Sequence, residues 1–229
     1  FIANGPEGDV LAVYRVQGAV EDLRFARFDP ATNDPTLNIN LTANDGTVSL
    51  GEHAAAYDGD RAELLVVYWS RVDADPWTLL ARRSDAATGD PIGAPVSLPL
   101  PGASAGLTSV HVDAIFVDSL DQWAVLAGAA PTGVWLTRFD AGTTPASFVT
   151  LVVSENANTE GVALGYSPDG EQFAALFSVA NASVVELRGA RVTAGGQLLR
   201  TEAALAPSSG DQFDPRVTHN PNDNEFLAV

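Results

Sequence analysis

Glu63-Leu64-Leu65-Val66-Val67-Tyr68 decides the fold. After the acid the run is apolar without a polar alternation. A strand of that kind needs cover on both faces. The pattern recurs along the chain. Asp9 precedes Val10-Leu-Ala-Val-Tyr14, Gln122 precedes Trp123-Ala-Val-Leu-Ala127, Gln172 precedes Phe173-Ala-Ala-Leu-Phe177, and Glu225 precedes Phe226-Leu-Ala-Val229. Successive copies lie 50 to 59 residues apart. A period near 54 residues is the mark of a repeated supersecondary unit.

Working outward, the rest of the unit repeats in register. A turn-forming cluster stands before each run: Gly5-Pro-Glu-Gly8, Asp58-Gly-Asp60, Asp118-Ser-Leu-Asp121, Ser167-Pro-Asp-Gly170 and Asn220-Pro-Asn-Asp-Asn224. Such residues supply the φ > 0 geometry of tight hairpins. Before the turn is a short strand with an aromatic ring at one position, Tyr57, Phe116, Tyr166 and His219; the first copy is expected to place Ala3 there. After the run comes a third strand with Arg27, Arg83, Arg138 and Arg191 at one shared position. Segments such as Ala94–Leu100 and Ser147–Val153 read as a fourth strand.

Each unit therefore reads strand A, turn, strand B, loop, strand C, turn, strand D. This is an antiparallel meander. The second strands are expected over residues 10–14, 64–68, 123–127 and 173–177. Four-stranded sheets stacked radially cover one another on both faces, so the expected architecture is an all-β β-propeller. A flat sandwich is the alternative, and it does not account for a copied four-strand unit. Blades are expected near residues 1–51, 52–110, 111–160 and 161–213. A partial fifth is expected at 214–229, with residues 217–229 superposing on residues 1–13. On this reading the chain is a piece of a longer protein and the last hairpin has an open outer edge.

Composition bounds the function. The formal charge is −17, with 29 Asp and Glu against 12 cations, all of them Arg. A surface this acidic repels phosphate backbones, so nucleic acid is disfavoured as a partner. Membrane insertion is also not expected, because no apolar run approaches the ~20 residues of a spanning helix. With no Cys, thiol chemistry and thiolate metal sites are excluded.

Asp214-Pro-Arg-Val-Thr-His-Asn-Pro-Asn-Asp-Asn-Glu-Phe-Leu-Ala-Val229 resembles a blade motif of secreted bacterial repeat proteins, P-x-V-x-x-N-P-x-x-N-E-[FY]-L-V-V-W. Glu186-Leu-Arg-Gly-Ala-Arg-Val-Thr-Ala-Gly-Gly196 is similar to its second half, L-x-G-x-R-V-x-x-x-G. The resemblance implies a β-propeller on a secreted or cell-surface protein, often multidomain. It brings no catalytic residues with it.

Chemistry-bearing residues are few. His53 and His111 are expected just before strand A of the second and third units, and His219 within one. None has a partner at metal-ligand spacing. Asp58 and Asp60 are the candidate calcium ligands, although the full ligand series of a calcium loop is absent. Trp77, beside Asp75-Pro76 in a loop, is the candidate for stacking on a ligand; Trp123 reads as core. The sialidase box S-x-D-x-G-x-T-W is absent, since Ser167-Pro-Asp-Gly170 brings its Gly one residue early. The recurrent Arg residues are expected to be structural, each gripping a nearby carboxylate. No cofactor is expected, calcium being the exception allowed for. These observations point to a non-catalytic binding scaffold, with protein or carbohydrate at the cell surface, or other copies or domains of the same protein, as partner. The alternative is a carbohydrate-active enzyme, hydrolase or lyase, with its site on one face.

Overall fold

The computed structural model describes residues 2–4, 8–18, 20–42, 48–101, 106–141, 148–155, 159–181, 184–205 and 214–229, with backbone only at 2–4, 181 and 201–203. The chain divides into two compact units, Phe1–Leu98 and Pro99–Val229.

The first unit holds two four-stranded sheets. One is β1 (Ile2–Asn4), β2 (Val10–Val16), β3 (Asp22–Phe28) and β4 (Pro35–Asn40); the other is β5 (Val48–Asp58), β6 (Glu63–Val72), β7 (Thr78–Asp85) and β8 (Val96–Ser97). The second unit holds β9 (Ser109–Val117), β10 (Gln122–Ala130), β11 (Gly133–Asp140) and β12 (Val149–Glu155), then β13 (Thr159–Ser167), β14 (Gln172–Asn181), β15 (Val184–Thr193) and β16 (Leu198–Ala204). A last hairpin pairs β17 (Val217–Asn220) with β18 (Glu225–Ala228). Every sheet runs in chain order with antiparallel neighbours. Each expected second strand lies inside β2, β6, β10 or β14. The single helical turn described is a 3₁₀ turn at Asp118–Leu120.

Register confirms the repeat at single-residue level. Tyr57 pairs with Leu64, Phe116 with Trp123, Tyr166 with Phe173 and His219 with Phe226. Three of these pairs stack, with ring centroids 4.8, 4.8 and 5.5 Å apart. In the first sheet the partner of Val10 is Asn4, not Ala3, because the connection to Asp9 is one residue shorter. The left-handed residue stands just before the acid or amide that opens each run: Gly8, Asp121 and Asn224 inside the expected turn clusters, Ala62 and Glu171 just past them, with φ from 47° to 80°. Strand A begins earlier than the expected boundaries, at Val48, Ser109 and Thr159.

Packing explains the double-faced second strand. In the first unit Leu11, Val13, Leu23 and Phe25 of one sheet bury against Ala55, Leu64, Val66 and Tyr68 of the next. In the second unit Leu126, Val134, Leu136 and Val153 meet Val162, Leu164, Phe173 and Phe177. Full burial of each such side chain contributes roughly 1.5–3 kcal/mol. The strand β2 departs from the pattern: Leu11 and Val13 are buried while Val10, Ala12 and Tyr14 are half-buried.

Candidate functional site

Each sheet has two ends. The A–B and C–D turns lie at one, the turn end. Strand A starts and strand B finishes at the other, the loop end. The recurrent Arg residues sit at the turn end, and the residue that precedes each apolar run is their natural partner. Arg27 pairs with Asp9, and Arg83 with Glu63, where Nε lies 3.0 Å from Oε2. Arg191 donates to the Gln172 side-chain oxygen instead. Arg138 departs further: its guanidinium donates to the backbone oxygen of Ala194 and lies over the Phe173 ring, 5.7 Å from the centroid. A carboxylate at every Arg was expected, and the amides Gln122 and Gln172 are why two lack one. Arg138 is also 7% exposed, not wet, and burial pushes its pKa down while Tyr166 opposes the shift.

Two of these side chains reach across sheets within their own units. Arg27 Nη1 lies 2.7 Å from the carbonyl of Ala87, in the C–D turn of the next sheet. Arg138 makes the same kind of bond to Ala194. The turns approach closely because each has a left-handed glycine, Gly89 (φ 75°) and Gly196 (φ 86°). A Cβ on Gly89 would lie 2.1 Å from Ile39 Cδ1, and one on Gly196 2.9 Å from Arg138 Nη2. Arg27 and Arg138 thus each tie a third strand to the C–D turn of the next sheet.

Of the two candidate calcium ligands, Asp58 is engaged within its own turn. Asp58 is fully buried; its Oδ1 accepts the backbone N–H groups of Asp60 and Arg61 at 3.0 and 3.1 Å, and its Oδ2 pairs with Arg61 at 2.8 Å. That carboxylate builds its own turn. Asp60 is exposed beside it. Among the described residues no group of three or more His, Asp and Glu could hold a metal. Nor is any helix among them long and apolar enough to cross a membrane.

The loop ends differ from one sheet to the next: Tyr14 and Tyr68 hold one repeat position, but Ser70 and Arg82 have no polar counterpart at Val16 or Ala26. In the first unit a cavity of about 230 Å³ opens at this end. Thr42, Tyr68, Ser70 and Arg82 are its polar lining residues, with the Arg82 guanidinium donating to the Leu41 carbonyl and the Thr42 hydroxyl accepting the Leu23 N–H; Val48, Leu50, Leu80 and Pro95 are its apolar ones. Burial raises the Tyr68 pKa, with Arg82 opposing. His53 pairs directly with Tyr68 across the strands, so it shares that face. It lies inside β5, not before it. Burial lowers its pKa, and a hydrogen bond to the Val13 carbonyl opposes the shift. Arg15 anchors the rim, its Nη1 2.8 Å from the Leu50 carbonyl, while the Glu21 carboxylate accepts the Leu50 N–H at 2.9 Å. Trp77 is half-buried at the same end, with Arg71 stacked 4.7 Å from its ring centroid, so one ring face is already covered.

In the second unit Ser109, His111 and Asp113 share one face of β9. Ser109 Oγ lies 2.6 Å from His111 Nε2, which places His111 within the strand. Asp113 accepts the N–H of Ala114 and, across to the next sheet, that of Leu164, each at 2.8 Å. This acid is an inter-sheet staple. Trp69, Trp123 and Trp135 are core residues, each 0–1% exposed.

A scan against family models and a search of curated proteins both return no match. Solved structures do match over nearly the whole chain. A mutant NanB sialidase from Streptococcus pneumoniae aligns with 95% of this chain at TM-score 0.67 and 7% identity, the chain covering 53% of it. An α-L-arabinanase from Penicillium chrysogenum, complexed with arabinobiose, aligns with 100% at TM-score 0.63 and 13% identity, with 73% covered. A family PL25 ulvan lyase aligns with 95% at TM-score 0.62 and 13% identity, with 57% covered. The fold is a β-propeller. The four-stranded sheets are its blades, and the chain spans about half the length of several of the propellers it matches.

Sequence reasoning missed the blade-two cavity. Tyr68 ends the apolar run that defines strand B and reads as core, which its burial bears out, yet it also lines the cavity. Arg82 stands beside the recurrent Arg83 and points to the opposite face. That Arg82-Arg83 doublet, which no other blade has at this position, was the available signal.

Proposed function

We propose that this chain forms part of a carbohydrate-active β-propeller enzyme, a glycoside hydrolase or lyase, and that the loop ends of its blades hold the glycan. The observation that carries this reading is the division between the ends. The turn end repeats an Arg at one position in four blades, as a scaffold would throughout. The loop end diverges: Ser70 and Arg82 line a cavity with Thr42 and Tyr68 beside His53, where the equivalent positions of the other blades hold Val16, Ala129 and Val179, and Ala26, Thr137 and Ala190. Hydroxyls and a guanidinium set against apolar walls suit a sugar, which presents hydroxyl edges and C–H faces. Likeness to sialidases, an arabinanase and a lyase supports this alternative over the non-catalytic scaffold. The −17 charge favours a neutral polymer, such as an arabinan, over sialylated or uronate-rich chains. Action outside the cell or at its surface fits the same reading.

The test is affinity electrophoresis of the chain in gels containing neutral or acidic polysaccharides, with release of new reducing ends or unsaturated products measured in parallel. Retardation by a neutral glycan is expected, and Arg82→Ala and Ser70→Ala should each weaken it about 10-fold, the effect of a lost polar contact in a site. The turn-end variant Arg191→Ala should not. Absence of both retardation and turnover across the panel would return the function to a non-catalytic scaffold.

A further inference from the structure

We propose that the turn end of the first unit holds a binding site for a small aliphatic primary amine, in the cavity where Asp9, Arg27 and Asp29 meet Leu37 and Ala87. The site lies at the end opposite the proposed glycan cavity and does not rest on that reading. Its volume is about 460 Å³, within the ~300–1,000 Å³ of small-molecule sites. The first sheet supplies Asp9, Arg27, Asp29, Pro30 and Leu37, and the C–D turn of the second supplies Ala87. Asp9 and Arg27 each lie two residues from Leu11 and Phe25, so they share the face that packs on the second sheet.

The observation that carries the proposal is the Asp9 carboxylate. Asp9 is 7% exposed. Its Oδ2 pairs with Arg27, while its buried Oδ1 accepts no hydrogen bond among the described residues. A buried carboxylate oxygen without a donor is destabilising, and a ligand N–H that reaches it removes that penalty. The Tyr57 hydroxyl does not serve. It too is buried without a partner, and burial, then the charges of Asp9 and Asp58, raise its pKa.

Charge and shape select the ligand. The lining sets two carboxylates against one guanidinium. That guanidinium is already engaged by Asp9 and by the Ala87 carbonyl, 2.7 Å from Nη1. Asp29 Oδ1 accepts the Ala31 N–H at 2.7 Å, and no ion pair neutralises the Asp29 carboxylate among the described residues. Anions are repelled there, the more so on a chain of charge −17. A calcium ion takes about six to eight oxygen ligands, and no group of three acids among the described residues could hold a metal. An ammonium needs less: it donates charge-assisted bonds to Asp9 Oδ1 and faces Asp29. Pro30, Leu37 and Ala87 cover its aliphatic stem.

The experiment is a methyl NMR titration of the full chain, read at Leu37 and Ala87, with n-butylammonium, 1-butanol and calcium chloride as separate probes. Butylammonium should shift both residues saturably. 1-Butanol keeps the stem and loses the charge, and should bind at least about 10-fold more weakly. Asp9→Asn should weaken the amine about 10-fold. Asp29→Asn keeps the acceptor for Ala31 and loses the charge; it should weaken the amine about three-fold. Tyr57→Phe should not weaken it. No saturable shift, equal affinity for 1-butanol, or unchanged affinity in both Asp variants overturns the proposal. Calcium that displaces the amine assigns the site to a metal and overturns it as well. Binding seen only in Tyr57→Phe would show that the Tyr57 hydroxyl is the donor to Asp9, with the same consequence.

Discussion

Arg138 and Arg191 occupy one repeat position, yet the structure assigns them different weights. Arg138 is 7% exposed, donates to the Ala194 carbonyl and lies over Phe173. Truncation to Ala removes two buried methylenes, about 1.6 kcal/mol at ~0.8 each. A hydrogen bond from a charged donor adds about 1.5–3 kcal/mol, and the ring contact about 0.5–1. Relief from burying a guanidinium offsets several kcal/mol of that. A net loss of about 2–3 kcal/mol is expected for Arg138→Ala and about 1–2 for Arg138→Met, which keeps the stem. Arg191→Ala should stay within about 0.5 kcal/mol, because that side chain is exposed. Gly196→Ala pushes a Cβ against the same guanidinium, so its cost and that of Arg138→Ala should fall short of additive in the double variant. Denaturant midpoints for the set decide the matter. Equal losses for Arg138→Ala and Arg191→Ala would refute the tie to the C–D turn.

Three other outcomes are expected. Gly89→Ala should cost at least about 2 kcal/mol, since it adds left-handed strain to a Cβ placed 2.1 Å from Ile39 and 3.2 Å from Phe25, and a thermal melt reads it. The Arg83–Glu63 pair, with side chains 8% and 14% exposed, should show a coupling of about 1–3 kcal/mol in a double-mutant cycle, well above an exposed ion pair. For His53 the folded pKa lies below the ordinary 6.5, so near and below that pH the unfolded chain binds the extra proton first. Its contribution to stability is complete above ~6.5 and is lost as pH falls toward the folded value. Urea midpoints at pH 7.5 and 5.5 should therefore drop more for the native chain than for His53→Gln; parallel drops would contradict the assignment.

The repeat made most of the fold readable before any coordinates. Period, strand identity and the Arg register all follow from local chemistry: a run without alternation must be covered twice, and a turn must be built from residues that tolerate it. Three of the four Arg partners, Asp9, Glu63 and Gln172, are the acid or amide that opens the run, whereas Arg138 passes Gln122 by for Ala194. What the repeat could not show is anything that depends on the neighbouring blade. Arg138 is buried and Arg191 exposed because a C–D turn with a left-handed glycine reaches the first, while none among the described residues reaches the second. Tyr68 reads as core by pattern, and only the packing around it leaves a cavity beside it. Asp58 reads as a metal ligand by type, and its burial against Arg61 makes it a turn anchor. Residue type and spacing act along the chain within one blade, so the sequence alone determined the blade. Which polar groups remain open depends on how close the next blade comes, and that distance is set by side chains some fifty residues away, so only the tertiary structure decided it.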